Sequence, residues 1–125
     1  MGPRRILLAE DDALVREGLR ARLASAGYDV HTARSGTEAL QRIVALKPDV
    51  LVLDINMPEM DGFGVLEALK EFHPGSDMQV LVLTARQTAE DVQKALALGA
   101  RDYIVKAQAE ATLLRRVERL LRPAA

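Results

Sequence analysis

Six polar residues carry the chemistry open to this chain. Glu10, Asp11 and Asp12 follow directly on the apolar run Ile6 to Ala9. Asp54 closes Val50 to Leu53, Thr84 follows Val80 to Leu83, and Lys106 follows Tyr103 to Val105. Carboxylates converging from two such runs would repel in a low-dielectric cleft, and a bound divalent cation relieves that repulsion. An all-oxygen set suits Mg2+, which takes a few carboxylates and keeps several waters. A hydrated metal beside a carboxylate and a lysine is an arrangement for phosphoryl transfer. Metal and lysine share the phosphoryl charge while the carboxylate attacks phosphorus.

Taken singly, each residue has a plainer reading. Glu10, Asp11 and Asp12 could charge the N-terminus of a helix starting near Ala13. Thr84 could be structural and Lys106 solvated. Asp54 follows its apolar run with no turn residue between, so it is expected to be buried and to need a partner. What sets the group apart is that every member stands at the same end of its own apolar run.

Those runs are strands, and helical patterns alternate with them. "RILLA" is a short strand. Val15, Leu19 and Leu23 make a helical stripe through Ala13 to Ala26, stopped at Gly27. "YDVHT" reads as an edge strand. Ser35 caps a helix over Gly36 to Leu46 whose buried stripe is Ala39, Leu40, Ile43 and Val44, and Pro48 ends it. "VLVLDI" is a strand, "NMPEMDG" a loop, and Phe63 to Phe72 a helix. "QVLVLTA" is a strand, Thr88 to Leu98 a helix, "DYIV" a strand and Glu110 to Leu121 the last helix. Strands apolar on both faces belong to a parallel sheet covered on both sides, and right-handed crossovers make it an open, doubly wound α/β sheet. Ligands then bind at the carboxyl ends of the strands, where the six polar residues stand.

Composition narrows the partners. The 125 residues fit one domain, and 49% are apolar, enough for a core. Lys and Arg, 17 together, nearly balance Asp and Glu at 18, for a net charge of -1, which gives no field for gripping nucleic acid. Aromatic residues are 3% and Trp is absent, so base-stacking platforms are not expected. There is no Cys, and no run approaches the roughly 20 apolar residues that span a bilayer. A soluble, cytoplasmic protein is expected, with no direct nucleic-acid or membrane binding. His31 and His73 have no second histidine at metal spacing and are not expected to act.

The segments "ILLAEDDALVR", "DVLVLDINMPEMDGFGVL", "VLVLTA" and "LGARDYIVK" together resemble the receiver domain of two-component response regulators, over essentially the whole chain. The resemblance implies a five-stranded, flavodoxin-like sheet in the order 2-1-3-4-5. It implies one receiver domain over 1–125, with no output domain in this sequence. It makes Asp54 the phosphoacceptor, with Glu10, Asp11, Asp54 and the backbone carbonyl of Asn56 as ligands of Mg2+ (or Mn2+). Asp12 then becomes a helix N-terminal charge. Thr84 becomes the switch hydroxyl, Tyr103 the switch aromatic and Lys106 the group that binds a phosphoryl oxygen. Arg86 becomes a candidate modulator of water attack on the aspartyl phosphate. Met57-Pro58 shapes the turn after Asp54, and Gly62 supplies a backbone conformation near the next helix. Arg16 is read as a surface or helix-packing charge.

The implied function is a phosphorylation-dependent signalling switch. A sensor histidine kinase or phosphotransfer protein donates from phosphohistidine. The receiver catalyses only its own phosphorylation and dephosphorylation. The face built by the fourth helix, fifth strand and fifth helix then changes its affinity for a downstream partner or output domain, or for a second copy in a homodimer. Arg115, Arg116, Arg119 and Arg122 make the last helix basic, read as a solvated face. One rival is a Mg2+-dependent phosphatase or phosphotransferase acting on external substrates. That needs a second acid near the nucleophile, where this chain has Asn56. Another is an unphosphorylated interaction domain, against which Glu10, Asp11, Asp54, Thr84 and Lys106 argue together.

One position departs from the family pattern. Proline in a cis bond usually follows the lysine, and here Ala107 does. A cis bond before a non-proline residue costs about 2.5–4 kcal/mol, so Lys106–Ala107 is expected to be trans. The placement of Lys106 and the start of the last helix are what this departure puts at stake.

Overall fold

The computed structural model describes residues 2–85 and 88–122. Its strands are β1 (Arg5–Ala9), β2 (Asp29–Ala33), β3 (Val50–Asp54), β4 (Gln79–Thr84) and β5 (Asp102–Val105). Helices α1 (Ala13–Ser25), α2 (Gly36–Leu46), α3 (Gly62–Phe72), α4 (Ala89–Ala97) and α5 (Ala109–Leu121) alternate with them. All strands are parallel, in the order β2-β1-β3-β4-β5, as expected for a doubly wound sheet.

The sheet separates two cores. Leu7, Leu51, Leu53 and Val82 face α2, α3 and α4, where Ile43, Leu66 and Ala95 meet them. Ile6, Leu8, Val52, Leu81 and Leu83 face α1 and α5, where Leu19, Leu23, Leu113 and Val117 meet them. Every residue of β3 is buried, which is why its sequence shows no alternation. Each aliphatic side chain so buried contributes about 1.5–3 kcal/mol. The helical stripes hold with one correction. Val44 is 60% exposed, because Ala39 and Ile43, flanked by the partly buried Leu40 and Leu46, fill the inner line of α2.

Local signals explain the ends. Asp12, Ser35, Asp61 and Thr88 cap α1, α2, α3 and α4, each accepting backbone N–H groups of the first turn. Lys47 takes a left-handed conformation to end α2 one residue before Pro48. Helix α4 buries only Ala95, and the Lys94 ammonium lies 4.4 Å from the centre of the Phe63 ring on α3. No described helix is long and apolar enough to cross a membrane.

Candidate functional site

The carboxyl end of β1 turns straight into an acidic loop. The Glu10 N–H donates to the Ala33 carbonyl at 3.0 Å, extending the β1–β2 pairing one step and carrying Glu10 into full burial. Asp11 stays exposed. Asp12 is the cap of α1, its Oδ1 accepting from the N–H groups of Leu14 and Val15, so the helix-charge reading holds for that acid. Its own N–H donates to Glu10 Oε2 at 3.1 Å. Arg16 is more than a surface charge. Its Nη1 donates to the carbonyls of Glu10 at 2.9 Å and Asp11 at 3.2 Å, fastening the loop from the first turns of α1.

Asp54 ends β3 with no exposed surface. Ile55 continues the strand by donating to the Leu83 carbonyl, and the Asn56 N–H turns back to Asp54 Oδ1 at 3.1 Å. The chain then makes a tight turn in which the Met60 N–H donates to the Pro58 carbonyl at 2.7 Å around Glu59, whose φ is 68. A three-residue turn of that hand is strained in an L-residue and persists only where its surroundings hold it. The Gly62 N–H closes the loop on the Ile55 carbonyl at 2.7 Å. Gly62 has a negative φ, so it supplies clearance, not an unusual conformation. A Cβ there would lie 2.7 Å from the Asp54 carbonyl oxygen and from Ile55 Cα.

Thr84 is buried at the end of β4 and pairs in register with Val105 of β5. Tyr103 is half-buried against the core under α4, and its N–H is held by Asp102 Oδ1 at 2.8 Å. Lys106 enters the site directly. Its Nζ lies 2.7 Å from Asp54 Oδ2 and 3.0 Å from Glu10 Oε1. No described peptide bond is cis, so Lys106–Ala107 is trans as expected. A single 3-10 turn, Lys106–Gln108, leads into α5. With alanine at 107, Lys106 still reaches Asp54. Arg86 lies outside the described residues.

Oxygens of Glu10, Asp11 and Asp54 all fall within 4.8 Å of one another. Burial pushes the Glu10 carboxyl up to about 7, and the neighbouring Asp54 adds to the rise, while the Asp12 N–H and Lys106 pull the other way. Burial raises Asp54 too, against the opposing pull of Lys106. Burial lowers Lys106, but its contacts with Asp54 and Glu10 outweigh this and leave the ammonium held above its ordinary value. One lysine therefore does not neutralise the cluster. Glu10 Oε1 is buried and has no hydrogen-bond partner among the described residues; the Lys106 ammonium lies 3.0 Å from it as an ion pair and donates to Glu10 Oε2 at 3.4 Å. A hard divalent cation fits this donor set: three carboxylates, two of them buried, with one buried oxygen lacking a hydrogen bond.

Two features were not read from sequence. Arg16 sits six residues beyond Glu10, a spacing that helix geometry could have flagged. Asp102, at the start of β5, is 8% exposed and accepts from Arg116 Nη1 with both oxygens at 2.8 Å and from Arg119 Nη2 at 3.2 Å. Arg115, Arg119 and Arg122 are exposed, as the solvated-face reading expects, while the partly buried Arg116, with Arg119 beside it, is ion-paired to β5.

Comparison with known proteins identifies the family and the fold. Residues 6–118 match the model of the response regulator receiver domain. Response regulator MprA of Mycobacterium ulcerans (strain Agy99) is 45% identical over 118 residues, covering 94% of this chain and 50% of that protein. The chain therefore spans about half the length of the curated relatives it matches. Among solved structures, chemotaxis protein CheY4 of Vibrio cholerae superposes with a TM-score of 0.89 at 32% identity, covering 96% of this chain and all of that one. A putative response regulator from Chloroflexus aurantiacus J-10-fl superposes at 0.87 with 35% identity, covering 95% and 98%. The fold is the flavodoxin-like one that the strand order implied, and the chain belongs to the response regulator receiver domain family.

Proposed function

We propose that this receiver domain is switched by phosphorylation of Asp54. The observation that carries the reading is the Lys106 ammonium 2.7 Å from the buried Asp54 carboxylate, beside the oxygens of Glu10 and Asp11. The donor is the phosphohistidine of a sensor histidine kinase or phosphotransfer protein. An Asp54 oxygen attacks phosphorus, the P–N bond breaks, and the imidazole leaves with its electron pair. Glu10, Asp11, Asp54 and the Asn56 carbonyl would hold Mg2+ (or Mn2+), which supplies charge to offset the phosphoryl oxygens. Lys106 gives up Asp54 Oδ2 and takes a phosphoryl oxygen in its place. Catalysis is positioning and charge stabilisation, and its product stays on the protein.

The added charge and acceptor oxygens stand beside the end of β4. Thr84 moves its hydroxyl toward them, and Tyr103 turns into the space vacated. The surface of α4, β5 and α5 then changes partner affinity, toward a downstream protein, an output domain or a second copy. Helix α4, with one buried residue, suits such a movable element. The site of action is cytoplasmic, where such kinases present phosphohistidine.

Incubation with a small phosphodonor and Mg2+, read by intact mass, tests this. Wild type should gain one phosphoryl group, and Asp54→Ala none. A wild type that gains no Asp54-dependent adduct overturns the reading.

A further inference from the structure

The strained turn after Asp54 is held by a residue from another element. Gly36, the first residue of α2, donates its N–H to the Met60 carbonyl at 3.1 Å. A Cβ on Gly36 would lie 2.1 Å from that carbonyl oxygen and 2.8 Å from Met60 Cβ. The obstruction is chiefly backbone, so no side-chain rotation relieves it. On its other side, Met60 meets Gly64, where a Cβ would lie 2.8 Å from Met60 Cγ. Met60 is wedged between two glycines, one on α2 and one on α3. It is also the residue whose N–H closes the turn at Glu59.

We propose that Gly36 is a positioning residue for the acceptor loop, and that its bare backbone fixes Met60 and, through the turn, the Asn56 carbonyl and the Asn56 N–H on Asp54. This rests on the reading of Asn56 as a metal ligand given above. The first turn of α2 forms the outer wall of the loop, although Gly36 touches neither Asp54 nor any ligand of the metal. A partner bonded directly to a metal ligand costs about 10–100-fold in affinity when it is lost, and a residue one step further out is expected at the low end of that range.

The test compares Gly36→Ala, Met60→Ala and Ile43→Val with wild type. Ile43 lies on the buried face of the same helix, seven residues on, and its variant perturbs α2 packing while leaving the Gly36–Met60 contact in place. Two readouts are taken: Mg2+ affinity by calorimetry, and hydrogen exchange of the loop amides without metal. Gly36→Ala should weaken Mg2+ binding about 10-fold or more and speed exchange at Asn56, Met60 and Gly62. Met60→Ala should show the same pattern more weakly, and it reads the wedge if Gly36→Ala does not fold. Ile43→Val should match wild type in both. Loop exchange and Mg2+ affinity unchanged in the glycine and methionine variants, or changed as much in Ile43→Val, overturn the proposal. Wild type that neither binds Mg2+ nor takes a phosphoryl group overturns the reading of the site instead, and the exchange data still report on the wedge.

Discussion

Lys106 Nζ lies 2.7 Å from Asp54 Oδ2, across 52 residues of sequence, and the peptide bond that follows the lysine is trans. The lysine is placed by β5, whose register against β4 sets Val105 beside Thr84. One 3-10 turn then absorbs the change of direction into α5. Delivery of the ammonium depends on strand pairing and not on a proline at position 107.

Replacing Lys106 by Met should therefore cost chemistry more than folding. Glu10 and Asp54 would face each other without a cation, and a protonated Glu10 could offset part of that. Removing one preorganised charge donor slows transfer by about 10²–10³-fold. Single-turnover labelling from a small phosphodonor at saturating Mg2+ should show that loss, with a cooperative denaturation curve retained. A rate within a few-fold of wild type would remove Lys106 from the mechanism.

Gly62→Ala should affect the acceptor directly. Its Cβ would press at 2.7 Å on the Asp54 carbonyl oxygen and Ile55 Cα, both backbone, in a fully buried strand end. Overpacking of this kind costs about 1–3 kcal/mol. Urea denaturation should show that loss, and the labelling rate should fall with it, because the shift moves the nucleophile. Wild-type labelling would mean that the loop relaxes without Asp54.

The elements and the edge that gathers the polar residues were legible because burial wrote them into the sequence. Val50 to Leu53 is apolar throughout since helices cover both faces of β3, and Asp54 stood out as a charge at its end. The 2-1-3-4-5 order came from motif resemblance, because nothing in a strand's own residues states its neighbours. Val44 was misassigned because helical periodicity gives the apolar face but not its width. Arg16 and the Asp102–Arg116 pair were missed for another reason. Charged residues on helices are mostly solvated, and only the fold shows which of them point back at a carbonyl or carboxylate.

That pair should be measurable. Asp102 is 8% exposed and receives Arg116, Arg119 and the Tyr103 N–H. Asp102→Asn keeps the shape and removes the charge, leaving two arginines without a counter-ion. Charge-assisted hydrogen bonds to a largely buried carboxylate are worth about 1.5–3 kcal/mol. Urea denaturation should show a loss of that order with an unchanged slope. The Arg116 share should persist at high salt, since partly buried pairs are weakly screened, while the exposed Arg119 share should fade. A loss that vanishes with salt would put the pair at the solvated surface.

The pH dependence of stability reports on Glu10. Its carboxyl is raised to about 7 in the folded protein from an ordinary 4.5, mainly by burial. A raised carboxyl contributes stability that is complete below its unfolded value and is lost as pH rises through the folded one. Without metal, wild type should therefore lose stability relative to Glu10→Gln between pH 4.5 and about 7. The loss is at most about 3 kcal/mol, the worth of the shift in full. Asp54 faces Glu10 and each shifts the other, so the difference between the two proteins reports the titration of the pair. Saturating Mg2+ should reverse the trend in wild type, because a carboxylate ligand binds only when deprotonated and affinity then rises with pH. The variant, lacking one carboxylate, should gain less from Mg2+ at every pH. Urea midpoints across this range, with and without Mg2+, decide the matter. Parallel curves for the two proteins would mean that Glu10 titrates as an ordinary surface acid.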